Sequence, residues 1–368
     1  MTMTLKPLTD QVVVITGATS GIGLATARAA AEQGAALVVS ARNEPALKLL
    51  VEELRAKGAR ADYVVADVGR PEDVRAIAAA AELRFGGFDT WVNDAGAALY
   101  GRFDDTPLED QRQLFETNYW GVVHGSLTAA QSLKDRGAAG AIINIGSVMS
   151  DQAMPIQGTY AAAKHAVKGF TNALRMELMK SAPQISVTLI KPSAVDTPYK
   201  EHARNFTGHP ISSPPPVYDP ALTAEAILYA ARRRTREITV GGGGRALALF
   251  GQLLPAVAEP LYAWIIPFLS RDRPLNHLRD SDALDQPGRD MSERASTYPL
   301  VRRSSLYTRA QLNPEATAAI LLTVGVFAVL ALGARAQIKV AGIKARARAH
   351  ERERLKARLA KAKPPRGT

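Results

Sequence analysis

The sequence predicts an α/β fold, a Rossmann-like doubly wound parallel sheet with helices on both faces, plus a mainly helical C-terminal extension. Three observations carry this expectation. Short apolar runs alternate with amphipathic stretches from Gln11 to Gly241. A glycine turn, Thr16-Gly17-Ala18-Thr19-Ser20-Gly21-Ile22-Gly23, joins the first apolar run to the first helical stretch. That is the setting in which a helix N-terminus cradles a pyrophosphate. Far downstream, Ser147 precedes Tyr160-Ala-Ala-Ala-Lys164, and a Tyr and a Lys four apart lie on one helical face.

In order, Val12–Thr16, Ala36–Ala41, Ala61–Ala66, Thr90–Asn93, Ala141–Ile145, Ser186–Lys191 and Glu237–Val240 read as strands. Their near-continuous apolarity suits strands buried on both faces. Gly21–Gln33, Pro45–Lys57, Pro71–Phe85, Leu108–Leu133, Thr159–Ser181 and Thr223–Arg233 read as the intervening helices. Ligands on such sheets bind at the carboxyl ends of the strands. The glycine turn, Asn93, Ser147 and Pro192 fall at or just after strand ends, so they are expected to converge on one crevice.

With 368 residues, 46% of them hydrophobic, the chain can build one large domain and an extension. It has no cysteine, which excludes disulfides, thiolate metal sites and cysteine nucleophiles. His202 and His209 lack metal-ligand spacing with other donors, so no metal is expected. The net charge of +11 is local. Arg335–Thr368 holds 12 Lys and Arg against Glu351 and Glu353, a balance of +10, which leaves about +1 for the rest. A basic tail behind an apolar stretch suits a membrane surface with anionic lipid; a solvated basic helix is the alternative. Lys339–Arg366 has no Phe, Tyr or Trp, which argues against nucleic acid bound by stacking. Met1–Asp10 lacks the apolar core of a signal peptide, so the catalytic domain is expected in the cytoplasm.

Three regions follow. Residues 1–244 are expected to form the strand–helix domain that carries the glycine turn, closed by Gly241–Gly244. Residues 245–310 combine an apolar helical segment with a polar linker, and 311–368 a hydrophobic segment with the basic tail. Pro255, Glu259, Pro260 and Pro267 interrupt Ala246–Leu269, which argues against a straight span. Broken helices covering a substrate entrance or lying at a membrane surface are expected, or else a pair simply packed on the body. Arg271–Arg309 reads as linker. Ala316–Ala334 runs nineteen residues without a charge, close to the ~20 that cross a bilayer, so a transmembrane helix is expected there. A core helix or oligomer contact is the alternative. A basic tail in the cytoplasm would put the nucleotide domain outside, so crossing, dipping in or lying on the surface all stay open.

The chemistry can be read residue by residue. Gly17, Gly21 and Gly23, with Thr19, Ser20 and Ile22, make the phosphate cradle. The second strand ends Ser40-Ala41-Arg42 and lacks the acidic residue that an NAD site offers to the ribose hydroxyls. Ser40 and Arg42 suit a 2′-phosphate, so NADP(H) is preferred over NAD(H). Asp67, after the third strand, can accept from adenine or cap a helix. Reduction of a carbonyl needs hydride at carbon and a proton at oxygen. A tyrosine hydroxyl can give that proton, and the ammonium of Lys164 one turn away favours its phenolate. Ser147 can orient the substrate oxygen.

These pieces, with Asn93-Asp94-Ala95-Gly96, Asn118 and Pro192 through Thr197, resemble the short-chain dehydrogenase/reductase family over about residues 8 to 245. The resemblance implies a catalytic tetrad of Asn118, Ser147, Tyr160 and Lys164, with Asn118 in a proton relay. It implies that Asn93, Ala95 and Gly96 line the cofactor, that Thr197 touches the nicotinamide carboxamide beside Pro192, and that Lys164 holds the ribose. Homo-oligomerisation through Leu108–Leu133 and Thr159–Ser181 is implied too. There are two departures: Asp94 stands where the family has a second Asn, with little expected effect, and Ser193 replaces a glycine beside the nicotinamide. Asp196–Tyr218 is expected to be the substrate lid. The function expected is an oxidoreductase moving hydride between NADP(H) and a small-molecule alcohol or carbonyl, a lipophilic one if it is reached from a membrane. The alternative is a membrane-associated nucleotide sensor or scaffold without turnover.

Overall fold

The structure, a computed structural model, describes residues 5–270, 282–288, 291–295 and 298–361. It divides into two compact units, Met1–Leu312 and Asn313–Thr368.

In the first unit the elements run β1 (Val12–Thr16), α1 (Gly21–Glu32), β2 (Ala36–Ala41), α2 (Glu44–Ala56), β3 (Ala61–Val65), α3 (Pro71–Phe85) and β4 (Thr90–Asn93). There follow β5 (Leu99–Tyr100), α4 (Leu108–Phe115), a π-helical turn (Glu116–Trp120), α5 (Gly121–Asp135), β6 (Gly140–Ile145), α6 (Gly158–Ser181) and β7 (Ile185–Pro192). Then come β8 (Arg204–Asn205), β9 (Val217–Tyr218), α7 (Pro220–Arg232), β10 (Glu237–Val240), α8 (Gly242–Leu253), α9 (Pro255–Leu269), β11 (Val301–Arg302) and α10 (Leu306–Leu312).

Seven strands form one parallel sheet in the order β10-β7-β6-β4-β1-β2-β3. The crossover between β3 and β4 carries the chain to the far side of β1, so the order reverses there and opens a crevice at the carboxyl ends. Every residue of β1, β6 and β7 is buried, as strands covered by helices on both faces require. One core layer joins α1, α2 and α7 to the sheet through Leu24, Leu50 and Ile227. The other packs α3, α5 and α6 through Ile77, Leu133 and Leu174. Phe88 meets the fully buried Trp91 edge to face at 5.2 Å, the geometry that ring quadrupoles favour.

Local chemistry sets the helix ends. Asn43 accepts from the Ala46 amide (3.1 Å) and Pro45 stands inside the first turn of α2; this is a side-chain cap with a proline where no donor is needed. Asp219 does the same for α7. Gly86 closes α3 in the left-handed region.

One sequence expectation changes and another is met. Gly242–Gly244 do not end the ordered unit; they form the first turn of α8. Ala246–Leu269 resolves into α8 and α9, broken at Leu254-Pro255, as the proline demands. Arg245 secures α8 to a buried charge cluster: Asp151 accepts from Lys168 (2.6 Å), Lys191 (2.7 Å) and Arg245 (3.2 Å).

The second unit contains α11, Pro314–Lys361. The expected bilayer span, 316–334, is the start of this one 48-residue helix, which continues without a break into the basic sequence. Among the described residues no helix is long and apolar enough to cross a membrane. The expectation of a transmembrane helix therefore does not hold for the described residues. The side chains of 324–341 lie outside them.

Candidate active site

A cavity of about 340 Å³ opens at the carboxyl ends of the strands, running from the glycine turn to Tyr160. It is built up from β1. Thr16 Oγ1 accepts from the amides of Asp94 and Ala95 (both 3.2 Å) and donates to Val92 O (3.3 Å), tying the end of β1 to the end of β4. Gly17 turns with φ +71°, and a Cβ there would stand 2.8 Å from the Ala95 backbone. A Cβ on Gly23 would stand 2.2 Å from Gly17 O, so α1 can start against the turn only because both positions are glycine.

Thr19, Ser20, Gly21 and Ile22 line the cavity, as do Ala95 and Gly96. Gly23 and Asn93 lie behind the wall. Asn93 is buried, accepting from Trp91 Nε1 (2.8 Å) and donating to Asn144 Oδ1 (2.8 Å) and Ser126 Oγ (3.1 Å). Its side chain braces β4 against β6 instead of facing a ligand. Asp67 lines the cavity, and its Oδ1 accepts from Gly69 (2.9 Å). Pro192 and Thr197 form the opposite wall, with Thr197 against Gly21. Ser193 bonds through its hydroxyl to Gly241 O (2.9 Å). Among the described residues the positive-φ non-glycines are Ile156 and Met291, so the turn at Ser193 needs no glycine.

At the other end stand Ser147, after β6, and Tyr160 and Lys164 on α6. Lys164 is buried and donates to Ile145 O (2.8 Å); its Nζ lies 5.6 Å from the centre of the Tyr160 ring. Burial pushes the Tyr160 hydroxyl up to about 12, with the Ser147 and Tyr199 hydroxyls pulling it back. Burial likewise brings the Lys164 ammonium down to about 8, opposed by Asp94. Desolvation thus outweighs the activation expected from sequence: near neutral pH, Tyr160 carries its proton. Asn118 is buried one layer behind, in the π-helical turn, where its amide accepts from Ala97 N (2.7 Å) and donates to Ala97 O (3.0 Å). It fixes the strand-end loop that carries Ala95 and Gly96.

Tyr100 and Tyr199 escaped the sequence reading, and Asp94, from which little effect was expected, has a larger place in the site. Asp94 lines the cavity between the glycine turn and Lys164, and burial pushes its carboxyl up to about 7 against the pull of Lys164 and the Gly23 amide. Its departure from the family pattern was the available signal. Tyr199 meets the Tyr160 ring at 5.6 Å, and Tyr100 meets Tyr199 at 6.4 Å. Nothing local in the sequence marks either one.

The residues fit a dinucleotide. The glycine cradle admits backbone contact, and Ser40 Oγ, on the cavity wall at the end of β2, is buried without a hydrogen-bond partner among the described residues. Arg42 behaves differently from expectation: its guanidinium donates to three backbone carbonyls, Ala283 (2.6 Å), Leu284 (3.1 Å) and Gln286 (3.2 Å).

A parallel sheet in this order, with a glycine turn and a Ser–Tyr–Lys group on one cavity, defines a nucleotide-binding oxidoreductase. The chain belongs to the short chain dehydrogenase family, whose model matches residues 11–207. It is 45% identical over 319 residues to the Uncharacterized oxidoreductase YxnA of Bacillus subtilis (strain 168), covering 86% of this chain and 89% of that one. It is 42% identical over 190 residues to an A-factor type gamma-butyrolactone 1'-reductase (1S-forming) of Streptomyces virginiae, half of this chain and 72% of that one. Among solved structures it resembles a variant of the actinorhodin polyketide ketoreductase with NADPH at a TM-score of 0.58 (32% identity, 64% of this chain, 97% of that one). A short chain dehydrogenase/reductase of Burkholderia phymatum with NAD matches at 0.59 (27% identity, 74% and 100%). A nicotinamide cofactor is therefore supported.

Proposed function

We propose that the chain interconverts a hydroxyl and a carbonyl on a lipophilic small molecule, with NADP(H) preferred over NAD(H). The observation that carries this is the convergence of Ser147, Tyr160 and Lys164 on the cavity that begins at the glycine turn. When bound, the nicotinamide supplies or accepts hydride at the substrate carbon. Tyr160, protonated near neutral pH, gives its proton to the substrate oxygen in reduction. Ser147 orients that oxygen. Lys164, held on Ile145 O, fixes the ribose and returns a proton towards Tyr160, and Asn118 supports the relay by holding its loop. The orphan hydroxyl of Ser40 and the cation at Arg42 favour the 2′-phosphate, and no carboxylate ends β2 to oppose it.

The lipophilic reading rests on α8 and α9. Leu247, Ala248 and Ile266 line the cavity, while Leu253, Val257, Trp264 and Phe268 on the same helices, and Leu254 between them, are over half exposed. An apolar face of this kind beside a cavity suits contact with a lipid surface. Self-association through α4, α5 and α6 belongs to the same proposal, supported by exposed Leu108, Trp120, Leu127, Met176 and Met179.

The test is cofactor oxidation by the full-length protein, with NADPH or NADH, short- and long-chain ketones and aldehydes, and lipid vesicles present or absent. Turnover that prefers NADPH and long chains supports the proposal. Equal rates on short and long chains would remove the lipophilic part. NADPH binding with no turnover on any substrate would favour a sensor.

A further inference from the structure

The segment after α9 reads as a polar linker in the sequence, yet its described parts lie across the adenosine side of the cavity. Ala283, Pro287 and Gly288 line that cavity alongside Ser40, Arg42 and Asp67. Its described parts, 282–288 and 291–294, are each held by several contacts. Leu284 is fully buried among Ala97, Leu99, Leu114 and Ala163. Arg204 bonds Asp282 (2.8 Å) and Asp285 (2.7 Å). Arg42 takes the three carbonyls named above, and Asn43 donates to Gly288 O (3.3 Å). Beyond, Met291 donates its amide to Thr19 O (2.7 Å), and Ser292 O accepts from Gly21 N (2.9 Å). Glu293 pairs with Arg28 (2.7 Å), and Arg294 with Asp219. Met291 holds φ +71°, a conformation a non-glycine keeps only where its surroundings impose it.

We propose that residues 282–288 and 291–294 form a clasp that roofs the adenosine half of the cofactor, so that cofactor enters and leaves only as the clasp lifts from Thr19, Gly21 and Arg42. This rests on the cofactor reading above. The segment lines the cavity without filling it, and the buried, unpartnered Ser40 hydroxyl lies on the wall of the space it covers. Its attachments are one buried apolar anchor, Leu284, and a set of short polar contacts and partly exposed ion pairs that are individually weak and jointly closing. Arg42 then has two duties: anchoring the clasp and presenting positive charge to the ribose side.

The test is stopped-flow release of NADPH and of NADH from the full-length protein, compared with Leu284→Ala and with the double change Asp282→Asn and Asp285→Asn. Release of both cofactors should quicken by roughly three- to thirty-fold in the double change, where partly exposed ion pairs are lost, and by at least as much in Leu284→Ala, where the buried anchor is lost. Unchanged release from folded variants would overturn the clasp. Tighter binding in the variants would also overturn it, since the segment would then be a plug. A second measurement does not depend on weakening the fold. The chain lacks cysteine, so Pro287→Cys provides one thiol at the cavity wall. Saturating NADPH should slow its alkylation several-fold; equal rates would overturn the proposal. If the unaltered chain bound neither cofactor, the cofactor reading would fail and the clasp with it.

Discussion

Asp94 and Lys164 line one cavity as a mutually coupled pair of opposite charge. Burial drives the carboxyl up to about 7 and the ammonium down to about 8, and each charge resists the other's neutralisation. The family pattern has an amide where this carboxyl stands, so the charge state near Tyr160 differs in this chain.

A pH signature follows. The Asp94 carboxyl has a folded value of about 7 against 3.8 for an ordinary Asp. Between those values the native state binds more protons than the unfolded one, so stability falls as pH rises through the window and levels off above it. Asp94→Asn should remove that slope, matching the parent near pH 4 and exceeding it near pH 7. Urea unfolding across this range measures it, and parallel profiles for the two proteins would refute the assignment.

Tyr160→Phe should lower turnover by about 10²- to 10⁴-fold, the usual worth of a placed proton donor. NADPH affinity, read by fluorescence titration, should stay within a few-fold. Turnover retained in this variant would move the proton transfer elsewhere.

Arg42→Ala separates that residue's two duties. Loss of the clasp anchor weakens both cofactors, and loss of the cation weakens the phosphorylated one further. The Kd for NADPH should rise roughly ten-fold more than that for NADH, as befits a charge-assisted phosphate contact. An equal rise for both would make Arg42 an anchor alone.

Asp151→Asn should cost about 3–5 kcal/mol of stability, because it strips a buried charge of its partner. Lys191 is 1% exposed and would lose its closest carboxylate. Burial by itself would raise the Asp151 carboxyl, yet Lys168 and Lys191 hold it below the ordinary value. This contribution is therefore present above the ordinary Asp range and lost on acidification below it. A chemical denaturation midpoint unchanged from the parent would refute it.

Much of this molecule can be read from periodicity and turns. The central strands appear as apolar runs because burial on both faces leaves no alternation to disguise them, and β1, β2, β4 and β10 fall where the sequence places them. The proposed trio of Ser147, Tyr160 and Lys164 is readable because Tyr160 and Lys164 are local to one helix. What escapes is set by distance along the chain. Arg42 bonds a carbonyl 242 residues away, and no propensity encodes such a pairing. Asn93 falls at the right strand end, but whether its amide faces a ligand or the neighbouring strands depends on Trp91, Ser126 and Asn144 together. The balance of burial over charge at Tyr160 is likewise a property of the packed site, invisible in the spacing.

The π-helical turn at Glu116–Trp120 acts as a phase shifter. It takes up one surplus residue, so the numbering of α5 falls about 100° out of the 3.6-residue spacing set by α4. Asn118 sits on the surplus, with its amide clipped to Ala97. Deleting a single residue there would restore a regular α-helix and leave the face of α5 against the sheet, but it would abolish the wide turn that holds the Asn118 amide on Ala97. At this point regular secondary structure and a working site make opposite demands on chain length, and the irregularity records which demand prevailed.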